Sequence, residues 1–172
     1  MEDRPVKRLQ TTFRSCALAT VAVLGVLAGC CPEHLVDSAA DAAGVAAASI
    51  AWKQTFNAGD PAVVTALYAE DAVLSAPGKP VVRGRAAIGE YFVKTAAEFA
   101  AAGLNVADAP MGAAVASGDL GYQWKTYTIS NRAGVQVGSG QLLTLFRRTA
   151  GKWLIIGDTW NPDGATSAGS AH

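Results

Sequence analysis

The stretch GKWLIIGDTWNPD, residues 151–163, has the pattern of a strand that carries one carboxylate among large apolar side chains. Alternation along a strand divides its side chains between two faces, and one predicted face holds Leu154, Ile156, Asp158 and Trp160. The opposite face holds Trp153, Ile155, Gly157 and Thr159. Because both faces are largely apolar, we expect protein to cover both of them. Asp158 is therefore the residue whose role has to be explained.

The first 29 residues follow the pattern of an export signal. Residues 1–15 carry four basic side chains, and residues 16–28 form an apolar run that is too short for a stable membrane-spanning helix. The segment LAGC, residues 27–30, resembles the bacterial lipobox, in which the cysteine thiol receives a diacylglyceryl group. We therefore expect a signal peptide over 1–29, lipidation of Cys30, and anchoring to the bacterial cell envelope on the periplasmic or outer-membrane side. The alternative is an ordinary secretory signal in which Cys30 is incidental.

Composition excludes several classes of function for the chain after this signal. All three cysteines, at positions 16, 30 and 31, lie in or beside the signal, so the folded part has no thiol for an internal disulfide. From residue 30 onward, ten basic and twelve acidic residues give a net charge of −2, without the basic face that nucleic-acid binding needs. His34 and His172 lie near the chain ends, and no His/Cys cluster has metal-ligand spacing. We expect no nucleic acid, no metal and no cofactor.

Three helices are expected in the first half of the folded part. Helical spacing of apolar residues predicts the first, with a buried stripe formed by Val45, Ser49, Trp52 and Phe56. After the break at 57–59, Asp60 is placed to cap a second helix, and Pro61 fits a first turn where no backbone donor is needed. Gly103 is placed to end the third helix, whose stripe consists of Ile88, Tyr91, Phe92, Thr95, Ala96 and Phe99.

From Leu104 onward the pattern changes to strands joined by tight turns. After a short strand at 72–75, the predicted strands cover residues 104–116, 120–130, 135–148 and 152–161. Turn-forming residues between the later strands predict sequential antiparallel pairing. Prolines and glycines inside the strands predict bends that curve the sheet, at Pro110 with Gly112 and at Gly138 with Gly140.

These elements together predict an α+β domain over residues 44–163, with N-terminal helices packed on a strongly curved antiparallel sheet. A flexible tether is expected at 30–43, because its residues are small and polar. A disordered tail is expected at 164–172, where apolar content is too low for a packed core.

The order of several short motifs resembles a known superfamily. The motifs are NAGD (57–60), LYAEDA (67–72), PG (77–78), GRAAI (84–88), SGDLGY (117–122) and GKW through DTWN (151–161). Together they resemble the SnoaL-like and DUF4440 families of the NTF2-like, or ketosteroid isomerase-like, superfamily. The resemblance implies a cystatin-like cone, in which helices close the wide mouth of a bent sheet around an apolar pocket. It also implies a small apolar ligand and a homodimer.

The resemblance allows one specific chemistry to be tested. Steroid isomerases use an aspartate base beside a tyrosine and a protonated aspartic acid that hold an oxyanion. Aligned on the shared motifs, the tyrosine falls on Trp52, the base on Ala76 and the acid on Leu143. Alanine and leucine cannot move a proton, so the known steroid-isomerase route is not expected here.

Asp158 is the remaining candidate for acid–base chemistry. An apolar surrounding would raise the pKa of its carboxyl group and suit proton transfer, and polyketide-cyclase relatives also use an aspartate from the sheet. The alternative is that Asp158 accepts hydrogen bonds in a structural network, or faces solvent at the rim of the cone.

Aromatic side chains are the candidates for ligand binding. We expect a flat apolar ligand to contact Trp52, Trp124, Tyr127, Trp160 and Tyr68. The alternative is that these side chains simply fill the core. Lys125 stands where many of the similar proteins have glycine, which argues against close approach of a ligand at that position.

Three functions remain open from the sequence. The first is an envelope-anchored domain that binds a small apolar molecule, with or without catalysis. The second is an isomerase, dehydratase or cyclase of a small carbonyl or polyketide-like compound, with Asp158 as acid–base residue. The third is a homodimeric association module with a vestigial pocket. The polarity and volume of the pocket discriminate between them.

Overall fold

The structure is a computed structural model that describes residues 38–164. Within that range, three helices and seven strands follow one another in an α+β order. The helices are α1 (Ser38–Asn57), α2 (Pro61–Ala66) and α3 (Arg85–Ala102). The strands are β1 (Tyr68–Ser75), β2 (Val82–Arg83), β3 (Asn105–Pro110), β4 (Val115–Ser117), β5 (Leu120–Ser130), β6 (Gln136–Thr149) and β7 (Lys152–Pro162). The predicted signal peptide, Cys30 and residues 165–172 of the predicted tail lie outside the described residues.

Helix α1 carries the predicted buried stripe. Val45, Ser49 and Phe56 are buried and Trp52 is half-buried, as expected from their helical spacing. The helix begins at Ser38, whereas the sequence analysis placed a flexible tether up to residue 43. Asp41 in this first turn is buried and forms an ion pair with Arg148 on β6. This contact holds the start of the helix on the sheet, a long-range interaction that local composition does not reveal.

Helix α2 begins, and helix α3 ends, where the sequence analysis placed its signal. The carboxylate of Asp60 accepts a hydrogen bond from the backbone N–H of Val63 at 3.1 Å, and Pro61 occupies the first turn of α2. Gly103 ends α3 in the left-handed conformation, with φ of 64°, which a residue without Cβ adopts at little cost. Helix α3 buries Ile88 and Phe92 against the sheet.

The sheet has the order β2-β1-β7-β6-β5-β3, and β4 also pairs with β5. The predicted antiparallel pairing of successive strands is confirmed for β5, β6 and β7. Strand β1, however, runs parallel to β7, with Leu74 beside Asp158, so the sheet is mixed rather than purely antiparallel. The predicted strand 104–116 is divided into β3 and β4 at the bend that Pro110 and Gly112 indicated.

A β-bulge in the β6–β7 ladder changes which side chains of β7 share a face. Leu145 pairs with Gly157 and Phe146 pairs with Ile155, which leaves Ile156 as the extra residue. The simple alternation predicted for β7 is therefore wrong on this point. Ile155 lies on the same concave face as Asp158, and both line the interior cavity.

The core between helices and sheet is built largely from aromatic rings. Trp52 and Phe56 stack on α1 with ring centroids 5.0 Å apart. Phe92 of α3 meets both rings edge-on, at 5.8 and 6.1 Å, and Phe99 meets Phe56 at 5.2 Å.

No helix among the described residues is long and apolar enough to cross a membrane.

Candidate functional site

A cavity of about 290 Å³ lies between the concave face of the sheet and helices α1 and α3. Its wall is mainly aromatic and aliphatic, with rings from all three of these elements. The polar residues on the wall are Ser49, Thr95, Glu98, Lys125, Thr144 and Asp158. A space of this kind, apolar with a few converging polar groups, is typical of a site for a small molecule.

Asp158 is held on the cavity wall by a chain of hydrogen bonds. The hydroxyl of Tyr68 donates to its Oδ2 at 2.7 Å, and the hydroxyl of Thr144 donates to its Oδ1 at 3.3 Å. The Nε1–H of Trp52 in turn donates to the hydroxyl oxygen of Tyr68 at 3.0 Å. The indole therefore fixes the direction in which Tyr68 donates, and the carboxyl group has a defined orientation.

The surroundings of Asp158 alter its proton affinity. Burial raises the pKa of the Asp158 carboxyl from 3.8 to about 6, although hydrogen bonds from Tyr68 and Thr144 and the charge of Lys125 act in the opposite direction. Burial, together with the neighbouring carboxylate, also raises the pKa of the Tyr68 phenol well above its usual value. Tyr68 thus stays protonated and remains a donor wherever Asp158 titrates.

A second polar group on the wall is the ammonium of Lys125. Its Nζ lies 2.6 Å from Oδ2 of Asp108, whose Oδ1 lies 2.7 Å from Nζ of Lys53 on α1. Burial disfavours the charge on Asp108, but the two lysine partners outweigh that effect and lower the pKa of its carboxyl. The three residues form a cluster, Lys53–Asp108–Lys125, in which both lysines share one carboxylate.

The chemistry available in the cavity is that of a carboxyl group, an ammonium group and hydroxyls. Within residues 38–164 no group of three or more His, Cys, Asp or Glu side chains is arranged to hold a metal ion. A carboxyl group that titrates near pH 6 can give or take a proton close to neutral pH. The polar residues therefore suit proton transfer and the binding of a polar group on an apolar molecule.

The structure brings most of the predicted site residues together. Trp52, Tyr127 and Trp160 line the cavity with Asp158, while Tyr68 is fully buried, does not line the cavity itself and contacts the wall residues Trp52 and Asp158. Trp124 does not join them. Side chains of β5 alternate between buried and exposed, and Trp124 lies on the convex side with 45% of its surface exposed.

The positions aligned with the steroid-isomerase trio offer no replacement for it. Leu143 pairs with Trp124 across the sheet and does not line the cavity, unlike its neighbours Leu142 and Thr144. Ala76 is buried at the end of β1. Trp52 uses its N–H to orient Tyr68 rather than to face the cavity with a free donor.

Sequence reasoning missed three polar members of the site. The sequence alone presents Lys125 only as an obstacle to a ligand, although alternation along β5 puts it on the same face as Tyr127. Ser49 is predicted on a buried helical stripe, and its spacing gives no sign of a functional role. Thr144 carried no signal of its own, because its contact with Asp158 depends on the pairing of β6 with β7.

Solved structures identify the fold of this chain. An NTF2-like protein with a cystatin-like fold from Novosphingobium aromaticivorans superposes with a TM-score of 0.66 at 19% identity, covering 76% of this chain and 86% of that one. An NTF2-like protein from Pseudomonas putida gives 0.64 at 20% identity, covering 72% and 87%. The chain therefore has the NTF2-like, cystatin-like fold, which confirms the predicted fold class.

A family match and one more solved structure of similar fold assign the chain more narrowly within this fold. Residues 50–155 match the SnoaL-like domain, and the chain belongs to that family. A ketosteroid isomerase-like protein from Erwinia carotovora atroseptica superposes with a TM-score of 0.59 at 26% identity, covering 71% of this chain and 95% of that one. Among curated proteins, none matches the chain significantly.

Proposed function

We propose that the SnoaL-like domain binds a small, largely apolar carbonyl compound in its cavity and that Asp158 transfers a proton on it. One observation carries the proposal: a carboxyl group with a pKa near 6 is held in a fixed orientation on the wall of an apolar cavity. The similarity to a protein described as ketosteroid isomerase-like supports the same class of chemistry.

The proposed step is removal of a proton from the carbon next to the carbonyl group. The Asp158 carboxylate takes the proton, the C–H electron pair forms a C=C bond, and the π pair of the carbonyl group moves to its oxygen. The carbonyl group then re-forms as the protonated Asp158 returns the proton to another carbon of the conjugated enolate, which completes an isomerisation, or to a β-hydroxyl group whose C–O bond breaks, which releases water and completes a dehydration. A positioned acid–base residue of this kind contributes roughly a factor of 10² to 10⁴ in rate.

A second candidate function is binding without catalysis. It is favoured by the lining of the cavity, which offers rings such as Trp52, Phe92 and Trp160 to an apolar ligand and few polar groups. In that case Asp158 serves as a fixed acceptor for Tyr68 and Thr144, and the network shapes the cavity wall.

Deuterium exchange separates these two functions without a known substrate. A panel of small cyclic ketones and enones is incubated with the protein in D₂O at pH 7, and loss of the α-proton signals is followed by NMR. We expect the native protein to exchange the α-protons of at least one ketone. With Asp158→Asn, which keeps the shape of the side chain, we expect the exchange rate to fall by at least about 100-fold. Binding of ketones without exchange above the Asp158→Asn rate would support the binding function instead.

We also propose that the domain is anchored to the bacterial cell envelope through lipidated Cys30. The support for the anchor is the order of a basic stretch, a short apolar run and LAGC at 27–30.

The surface of the sheet supports a further part of the proposal, self-association as a homodimer. Its convex side exposes a group of large apolar residues, namely Val115, Tyr122, Trp124 and Leu145.

A further inference from the structure

Lys125 places unused hydrogen-bond donors at one end of the cavity. Its side chain is only 6% exposed, and its Nζ donates to Asp108 at 2.6 Å. An ammonium group has three donors, and within residues 38–164 this one has that single acceptor. Two N–H groups of a buried cation on the cavity wall are therefore available to a molecule in the cavity.

The charge of the cluster points to the kind of molecule. The single carboxylate of Asp108 serves both Lys53 and Lys125, so the Lys53–Asp108–Lys125 cluster carries a surplus of one positive charge. Asp158 lines the cavity as well, where Tyr68 and Thr144 donate to its carboxyl group and the charge of Lys125 lowers its pKa. The other carboxyl group on the described part of the wall, Glu98, is exposed to solvent. A buried ammonium group that shares its one carboxylate partner with a second lysine favours a further anion, because an incompletely paired charge away from water is costly.

Ser49 is an independent observation at the same end of the cavity. Its Oγ is buried, lines the cavity and has no hydrogen-bond partner among the described residues. Helix α1 packs along β5, with Val45 directly against Gly121 and Lys53 joined through Asp108 to Lys125. Four residues along the axis of α1 and two residues along β5 cover similar distances, about 6 to 7 Å. Ser49 therefore lies between these two contacts, on the side of the cavity that holds Lys125.

We infer that Ser49 and Lys125 form an anion-binding end of the cavity and that its ligand is a small apolar molecule with one carboxylate group. A carboxylate supplies the single negative charge that the cluster lacks and enough lone pairs for both the ammonium and the hydroxyl. The aromatic walls contact the apolar remainder. The inference deepens the proposed function, on which it rests, by assigning an acidic group to the carbonyl compound.

Paired probes test this inference directly. Binding of phenylacetate and hexanoate is compared with that of their neutral amides, phenylacetamide and hexanamide, through the fluorescence of Trp52 and Trp160 on the cavity wall. We expect the native protein to bind each carboxylate at least about tenfold more tightly than its amide, the range for a charge-assisted hydrogen bond. Lys125→Met is expected to abolish that preference, while Lys94→Met, an exposed change of the same charge on α3, is expected to preserve it.

Ser49→Ala supplies a variant that does not endanger folding, since its hydroxyl bonds to nothing in the described chain. We expect it to melt at the same or a higher temperature and still to bind the carboxylates several-fold more weakly. Equal binding of acid and amide by the native protein, binding of neither, or an unchanged preference in Ser49→Ala would overturn the inference.

Asp158→Asn is expected to keep the carboxylate preference. Proton exchange that is as fast in Asp158→Asn as in the native protein, with that preference intact, would contradict the proposed catalysis alone.

Discussion

The Asp158 carboxyl group is desolvated by its surroundings and also faces a cavity. A purely structural carboxylate is commonly paired with a cation, yet this one is bonded by two hydroxyl groups and lies opposite an apolar wall. Hydroxyl donors orient the group without fixing its charge. The result is a carboxyl group whose pKa is raised to about 6 rather than lowered.

Replacing Asp158 by asparagine should change how stability depends on pH. Below pH 3.8 the carboxyl is protonated in both folded and unfolded chains, and above pH 6 it is ionised in both. Between these values the folded protein holds the proton more tightly, so native stability falls as the pH rises. The stability of Asp158→Asn relative to the native protein should therefore increase by about 3 kcal/mol between pH 3.5 and pH 7.5.

Urea unfolding of both proteins at several pH values measures this difference. Asp60→Asn, a change of the same charge at the exposed cap of α2, provides the comparison. A stability difference for Asp158→Asn that is constant over the whole range would mean that the carboxyl has an ordinary pKa.

Tyr68→Phe should raise the pKa of Asp158 further. The change removes the donor that stabilises the carboxylate and leaves the N–H of Trp52 without its acceptor. We expect a loss of about 1 to 3 kcal/mol in unfolding free energy and a shift of the Asp158 titration above pH 6. Tyr122→Phe, on the exposed convex face, should leave both quantities unchanged. A titration that moves downward in Tyr68→Phe would show that the bond does not favour the charged form.

The site was predictable to the extent that it depends on local pattern. Asp158 stood out because a strand placed it among apolar residues, and Trp52, Tyr127 and Trp160, which line the cavity, stood out as aromatic residues. Trp124 was expected in the site, but a single-position alternation along β5 turns it outward. The bond between Tyr68 and Asp158 joins residues 90 positions apart, and no local pattern encodes such a contact.

Helix α3 closes the cavity, and its packing depends on Phe92. That ring is 3% exposed and meets the rings of Trp52, Phe56, Tyr68 and Tyr91. Phe92→Ala should lower the unfolding free energy by about 3 to 5 kcal/mol, because surrounding rings from three elements cannot collapse into the space. Phe99→Ala should cost less than Phe92→Ala, since the Phe99 ring is only half-buried.

Val93 provides the matched position for this measurement. It follows Phe92 in the helix but is 56% exposed, so Val93→Ala should change the stability by no more than about 0.5 kcal/mol. Denaturant unfolding compares the two variants. Equal midpoints for Phe92→Ala and Val93→Ala would mean that the predicted stripe is not the core-facing side of α3.

The helices were predicted more accurately than the sheet, for a physical reason. Helix spacing, caps and the Gly103 terminus are encoded within a few residues, and all were confirmed. The parallel pairing of β1 with β7 joins the first and last strands in the sequence, and the bulge at Ile156 depends on the pairing of β6 with β7. Neither follows from the residues of one strand alone. That bulge brings Ile155 and Asp158 onto one face and so shapes the cavity.

The lipid anchor proposed at Cys30 is a property of the whole chain rather than of the domain alone. If the chain is anchored through Cys30, the protein produced in a bacterial host should incorporate labelled palmitate and enter the detergent phase on phase separation. Cys30→Ser should abolish both, because it removes the thiol that accepts the lipid. Cys31→Ser should leave both intact. Labelling that persists in Cys30→Ser would contradict the anchor.

The central claim, that the cavity holds an acid–base carboxyl group, is tested most directly by titrating Asp158 itself. The protein is labelled with ¹³C at aspartate side-chain carboxyl carbons, and the Asp158 signal is assigned by its absence in Asp158→Asn. The claim predicts a titration midpoint near pH 6 in the native protein. It also predicts a higher midpoint in Lys125→Met, where a charge that lowers the pKa is removed. A midpoint at or below pH 4 would contradict it.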